Sequence, residues 1–73
     1  MDPTRRVEAT RLAAMLGRWG DDTGPLHRLL TTALDDLIDR GILRHGDTLP
    51  PERRLADALS VSRGTVVKAY TQL

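Results

Sequence analysis

From Leu26 to Ile38 the apolar residues Leu26, Leu29, Leu30, Ala33, Leu34, Leu37 and Ile38 recur at helical spacing without a gap. A stripe of that period has one physical solution, an amphipathic helix with one face buried against other elements. Pro25 is placed as a first-turn proline at its start, and Gly41, just past Arg40, is a natural left-handed terminator. The helix is therefore predicted over Pro25–Arg40. In a chain of 73 residues the partners that cover this stripe must come from a few short neighbouring segments. A domain this small buries only about 60% of the surface its unfolded chain exposes. With no cysteine to cross-link it, marginal stability is the default.

The neighbouring segments are also helical in period. Leu12, Met15, Leu16 and Trp19 make a stripe, with Ala9 close to it, that predicts a first helix from about Pro3 to Arg18, ended by Gly17 and Gly20. Gly20-Asp21-Asp22-Thr23-Gly24 reads as a linker, which divides the chain into residues 1–24 (helix and linker) and residues 25–73. After Gly41, Arg44-His45-Gly46-Asp47 reads as a turn, and Leu49 before Pro50 is biased to an extended conformation. Pro51 opens a third helix through Leu55, Ala56 and Leu59. The break at Ser60-Val61-Ser62 is short. Ser62 caps a fourth helix that runs to the last residue, with Val61 and Val66 as a hydrophobic staple and Val66, Ala69, Tyr70 and Leu73 facing inward. A short helix, a turn of about three or four residues and a second helix that opens on small polar residues is the helix-turn-helix pattern. The fold class is all-α.

Charge is polarised along this layout. Residues 1–39 carry five arginines against seven acids, a net −2, and residues 40–73 carry six basic residues against three acids, a net +3. That asymmetry points to an anionic partner for the second half, although a short chain reaches such a difference by chance as well. Zero cysteines fit a reducing compartment. No apolar run approaches the roughly 20 residues that span a bilayer, and the amino terminus lacks the core of a secretory signal, so the expectation is a cytoplasmic protein without a membrane partner.

Candidate chemistry concentrates in the second half. The fourth helix begins Ser62-Arg63-Gly64-Thr65, where unpaired backbone N–H groups and the positive dipole end favour an anion. No acid stands at Thr65 to repel one; an ordinary solvated helix start has the same composition. Arg53 and Arg54 open the preceding helix beside Glu52 and reach toward phosphates, or form a plain charged turn. Arg40 and Arg44 extend the basic surface, or Arg40 simply pairs with Asp36 four residues earlier. Asp35, Asp36 and Asp39 have no further ligand at metal spacing and read as a solvated face. His27 and His45 are isolated. Ser62 has no base partner, and neither a Gly-rich phosphate loop nor a thiol nucleophile is present, so enzyme chemistry has little support. Trp19 ends an apolar stripe, which favours packing over base stacking.

The stretch from Gly41 to Leu73 resembles the winged helix-turn-helix of GntR-type bacterial transcription regulators. It matches their pattern at Gly41, Gly46, Leu49, Pro50, Glu52, Arg53, Leu55, Ala56, Leu59, Val61, Ser62, Arg63, Thr65, Val66, Ala69, Tyr70 and Leu73. Gly24-Pro25-Leu26 and the run from Ser62 to Leu73 look most like the MocR branch. The resemblance implies sequence-specific binding to operator DNA, with Arg53, Ser62, Arg63 and Thr65 at DNA-touching positions and Gly64 among them. Together with Arg54 and Lys68, these make up the expected DNA-binding set. It also implies a parent protein that couples this domain to an aminotransferase-like domain binding pyridoxal phosphate and that acts as a homodimer. No cofactor is expected in these 73 residues themselves. Pro51 stands where the family usually has serine, and Val67 where other branches often have arginine. The two-stranded wing expected after Leu73 is missing, which leaves the extended piece at Thr48 and Leu49 without a partner strand. The competing reading is a helical protein-interaction module that uses the leucine stripe and Trp19.

Overall fold

The computed structural model describes residues 5–73, so Pro3 lies outside the described residues. Four helices follow in order: α1 (Ala9–Leu16), α2 (Leu26–Asp39), α3 (Glu52–Leu59) and α4 (Arg63–Gln72). Among the described residues there is no strand, only one isolated bridge. The all-α class holds.

The first helix is shorter than its stripe predicts. Residues 5–7 are not helical: Thr48 N–H donates to the Arg5 carbonyl at 2.7 Å and Val7 N–H donates to the Thr48 carbonyl at 3.0 Å. These bonds form a parallel bridge centred on Arg6 and Thr48. The extended piece around Thr48 therefore has a partner, contrary to the sequence expectation, and that partner is the amino-terminal strap. Val7 favours this arrangement because its β-branched side chain suits an extended backbone and is buried here in the core. At the other end Gly17 takes a positive φ of 59° with ψ of −128°, a conformation open to glycine alone. Trp19 thus packs half-buried against the core from the turn beyond α1.

Both prolines proposed as first helical residues sit one position earlier, as caps. Pro25 and Pro51 keep extended ψ values of 135° and 143°, and neither helix has a side-chain cap at its start. Their carbonyls accept the first helical bonds, from Arg28 and Leu29 and from Leu55 respectively. The α2 stripe is buried through Leu30, Leu34 and Leu37, whereas Leu26, in the first turn, is 44% exposed. After α2, Gly41 at φ 75° lets the Ile42 N–H reach back to the Leu37 carbonyl at 2.9 Å. That reversal drops Leu43 into the core and leaves Ile42 outside.

The turn from Arg44 to Asp47 is held by its own aspartate. Asp47 Oδ2 accepts the Arg44 backbone N–H at 2.9 Å and Arg5 Nη2 at 2.6 Å, and Arg5 Nη2 also donates to the Ile42 carbonyl at 2.8 Å. The Asp47 side chain is only 8% exposed. The Arg44 N–H first and the Arg5 guanidinium second hold its carboxyl below the usual 3.8.

The core comprises Val7, Leu43 and residues from all four helices, with Leu12, Leu30, Leu34, Leu55, Val66 and Ala69 fully enclosed. α4 lies against α2 and α3, and α1 covers α3 and part of α2. Val61 is half-buried against the same cluster as Val66, as the staple requires. Leu73 departs from expectation. Helix α4 ends at Gln72, and Leu73 is 43% exposed rather than inward.

Candidate nucleic-acid interface

The link between α3 and α4 is fixed at both ends. Ser60 closes α3 in a left-handed conformation (φ 58°, ψ 42°). Val61 N–H donates to the Ala56 carbonyl at 3.0 Å and Ser60 N–H to the Asp57 carbonyl at 3.3 Å, the paired bonds of a Schellman motif. One residue further, Ser62 Oγ accepts the Thr65 N–H at 3.2 Å and lies 3.0 Å from Thr65 Oγ1. Capping there leaves the N–H groups of Arg63 and Gly64 pointing out of the helix start. A second tie joins α4 to the segment that leads into α3. Tyr70 of α4 donates its hydroxyl to the Pro50 carbonyl at 2.8 Å. Burial, helped by the Glu52 carboxylate, pushes the phenol up to about 12.

The expected binding residues fall into two groups on this frame. Ser62, Arg63, Gly64 and Thr65 form the cap and first turn of α4, and Lys68 lies one turn further on. All are exposed except Thr65, which is half-buried. Arg53 and Arg54 are exposed in the first turn of α3. Successive helical residues differ by about 100° in direction, and Arg54 turns toward an open groove of about 1140 Å³ between α3 and the strap, which Arg53 does not line. Arg6 lines the same groove. The signal for Arg6 is not periodic: the strap conformation that places it depends on Thr48, some forty residues away.

Gly64 has no reason inside the fold to be glycine. Its φ is not positive, and an added Cβ would meet only Ser62 Oγ at 3.8 Å, an ordinary contact. A bare backbone there matters only to something approaching from outside. Arg63 is 70% exposed, and its Nη2 lies 3.8 Å from Oε1 of Glu52 across the turn, a neighbour that helical periodicity could not foresee. Of the outlying arginines, Arg40 takes the plainer of its two readings, pairing with Asp36 at 2.9 Å. Among the described residues, no group of three or more histidines, cysteines or carboxylates converges as a metal site.

Two short helices locked across a tight turn, with a capped, small-residue helix start facing outward, define the helix-turn-helix class of DNA-binding domains. Within that class the profile of bacterial regulatory proteins of the gntR family matches residues 28–73, and the chain belongs to that family. It therefore carries the DNA-binding region of a bacterial transcription regulator. Over 44 residues it is 54% identical to the HTH-type pyridoxine biosynthesis transcriptional regulator PdxR of Corynebacterium glutamicum, a MocR-type member. The match covers 60% of this chain and 10% of that relative, so the chain spans about a tenth of the length of the regulator it resembles. No solved structure matches the chain.

Proposed function

We propose that the chain binds operator DNA sequence-specifically, with the first turn of α4 in the major groove. The observation that carries this reading is the capped helix start, where Ser62, Arg63 and Gly64 are exposed, with Thr65 half-buried beside them, on a turn fixed at both ends. There a guanidinium can pair in bidentate fashion with guanine O6 and N7, the role assigned to Arg63. Ser62, Gly64 and Thr65 approach the backbone and base edges, and Lys68 contacts phosphate further along. Arg53 and Arg54, on α3, take flanking phosphates, as positioning contacts do in such interfaces.

In the whole protein this domain precedes an aminotransferase-like domain that binds pyridoxal phosphate, a reading supported by the MocR-type relative, whose name ties it to pyridoxine biosynthesis. The parent acts as a cytoplasmic homodimer, since symmetric half-sites call for two copies. No helix among the described residues is long and apolar enough to cross a membrane.

A salt titration of the full-length protein on duplex DNA tests the DNA reading. About four phosphate contacts per copy give a slope of log affinity against log salt of roughly −3 to −4 for each domain bound, and about twice that for a homodimer on two half-sites. A flat response, or no duplex binding, would favour a protein-interaction module using the α2 stripe and Trp19.

A further inference from the structure

Glu52 is badly placed for a DNA-binding surface. It puts a carboxylate in the first turn of α3, next to the residues expected to meet phosphate, where it repels the ligand. Helix-dipole stabilisation does not require it to face Arg63, yet its Oε1 is 3.8 Å from Arg63 Nη2, with the Glu52 side chain 36% exposed. The distance follows from the fold. Each residue is the first of its helix, and the two helix ends are set by the Ser60 reversal, the Ser62 cap and the bond from Tyr70 to Pro50. An ion pair this exposed adds little to folding stability. Its effect falls on what Arg63 does when DNA arrives.

We propose that Glu52 is a positioning residue for Arg63 and sets the selectivity of DNA binding, a proposal that rests on the reading of Arg63 as a base contact. A guanidinium has five N–H donors, and bidentate pairing with guanine uses one edge. Glu52, whose Oε1 lies 3.8 Å from Nη2 and so acts through charge rather than a hydrogen bond, draws the guanidinium toward α3 and narrows the orientations it presents to the groove. On a wrong sequence Arg63 gains nothing from the base, and swinging to a phosphate would leave Glu52 unpaired against that phosphate. The carboxylate therefore weakens binding to every duplex and weakens it most where the base is wrong.

The test uses the full-length protein and a duplex selected by it from a randomised library, with a scrambled duplex of the same composition. Binding isotherms at one salt concentration are compared for the wild type, Glu52→Gln, Arg63→Ala and the double variant. Glutamine keeps the length of the side chain and removes its charge. The expected result is that Glu52→Gln tightens binding to the scrambled duplex and narrows the selected-to-scrambled ratio about tenfold, while in the Arg63→Ala background it shifts both duplexes alike. Asp57→Asn, which removes the same charge from the same helix away from Arg63, should shift both duplexes alike in the wild type. If Glu52→Gln moves both duplexes equally, or neither, with helicity unchanged by circular dichroism, Glu52 is only a diffuse charge and the proposal is overturned. A wild type that selects no sequence would instead overturn the operator-binding reading, and this proposal with it.

Discussion

Arg53 and Arg63 occupy similar places in their helices, yet the structure gives them different surroundings. Arg63 leads the capped first turn of α4 and faces Glu52, while Arg53 stands exposed on α3, without an ion pair among the described residues. On the assignment of Arg63 to a base edge, Arg63→Ala costs about 1–3 kcal/mol on the selected duplex and much less on random DNA. Arg53→Ala weakens both, because a phosphate is present in every sequence. Isotherms on the two duplexes separate the roles, and equal losses for Arg63→Ala would return base readout to Thr65 or Lys68. Tyr70 carries a different dependence. Its phenol is raised from 10.0 to about 12 in the folded chain, so the native state holds its proton more tightly than the unfolded chain does. The corresponding stability is fully present below pH 10 and is lost as pH rises toward 12. Alkaline melts should show that loss, and Tyr70→Phe should remove this part of it while destabilising at neutral pH by about 1 kcal/mol through the lost bond to Pro50. Spacing located the two helix starts that carry Arg53 and Arg63, while their reading as DNA contacts rests on the family resemblance. The pairing of Glu52 with Arg63 was not legible, because it depends on how two helices cross and no single helix period contains that information.

Helices α2 and α3 end in the same way with different residues. Both reverse through a left-handed position and return a six-to-one bond, from Ile42 to Leu37 and from Val61 to Ala56. Gly41 meets that demand freely; Ser60 meets it at φ 58° with a side chain in place. Replacing Ser60 by glycine should stabilise the chain by about 1 kcal/mol, read by urea or thermal unfolding, with DNA affinity unchanged because the turn geometry is retained. No gain would mean that serine compensates through contacts of its own. The same local logic explains what the sequence made visible at this scale. Apolar spacing located all four helices, and Gly41 and Ser62 marked a helix end and a helix start correctly. The ends of α1 were misplaced because its apolar stripe runs on through Trp19 into a turn, and because the residues before it pair with Thr48, a partner some forty residues away. Burial of a side chain does not specify the backbone that delivers it. Leu26 and Leu73 fit their stripes by period yet are 44% and 43% exposed, since a stripe gives direction on a helix and not the reach of its neighbours.

At the level of the whole molecule a single small core serves every element, so damage at its centre is shared by all of them. A chain of this size has a total stability of roughly 4–11 kcal/mol. Leu34, fully enclosed at the centre of α2, should cost about 2–5 kcal/mol when cut to alanine. Leu34→Ala is therefore expected to leave a substantial unfolded population on modest warming, seen as early loss of helical circular dichroism. A change below 1 kcal/mol would mean that the core closes over the gap. The strap has a different relation to this core. Arg5 meets Asp47 across 42 positions of chain, whereas the turn between α3 and α4 is closed by near neighbours. Joining distant segments carries a loop-closure entropy that local contacts avoid. The helix pair that holds the DNA-facing residues is therefore expected to make its contacts early in folding, with the strap docking afterwards. In the native ensemble the order should reverse: hydrogen exchange is expected to show the amides of Val7 and Thr48 exchanging before those around Leu34 and the turn between α3 and α4, as the strap lifts in a local opening.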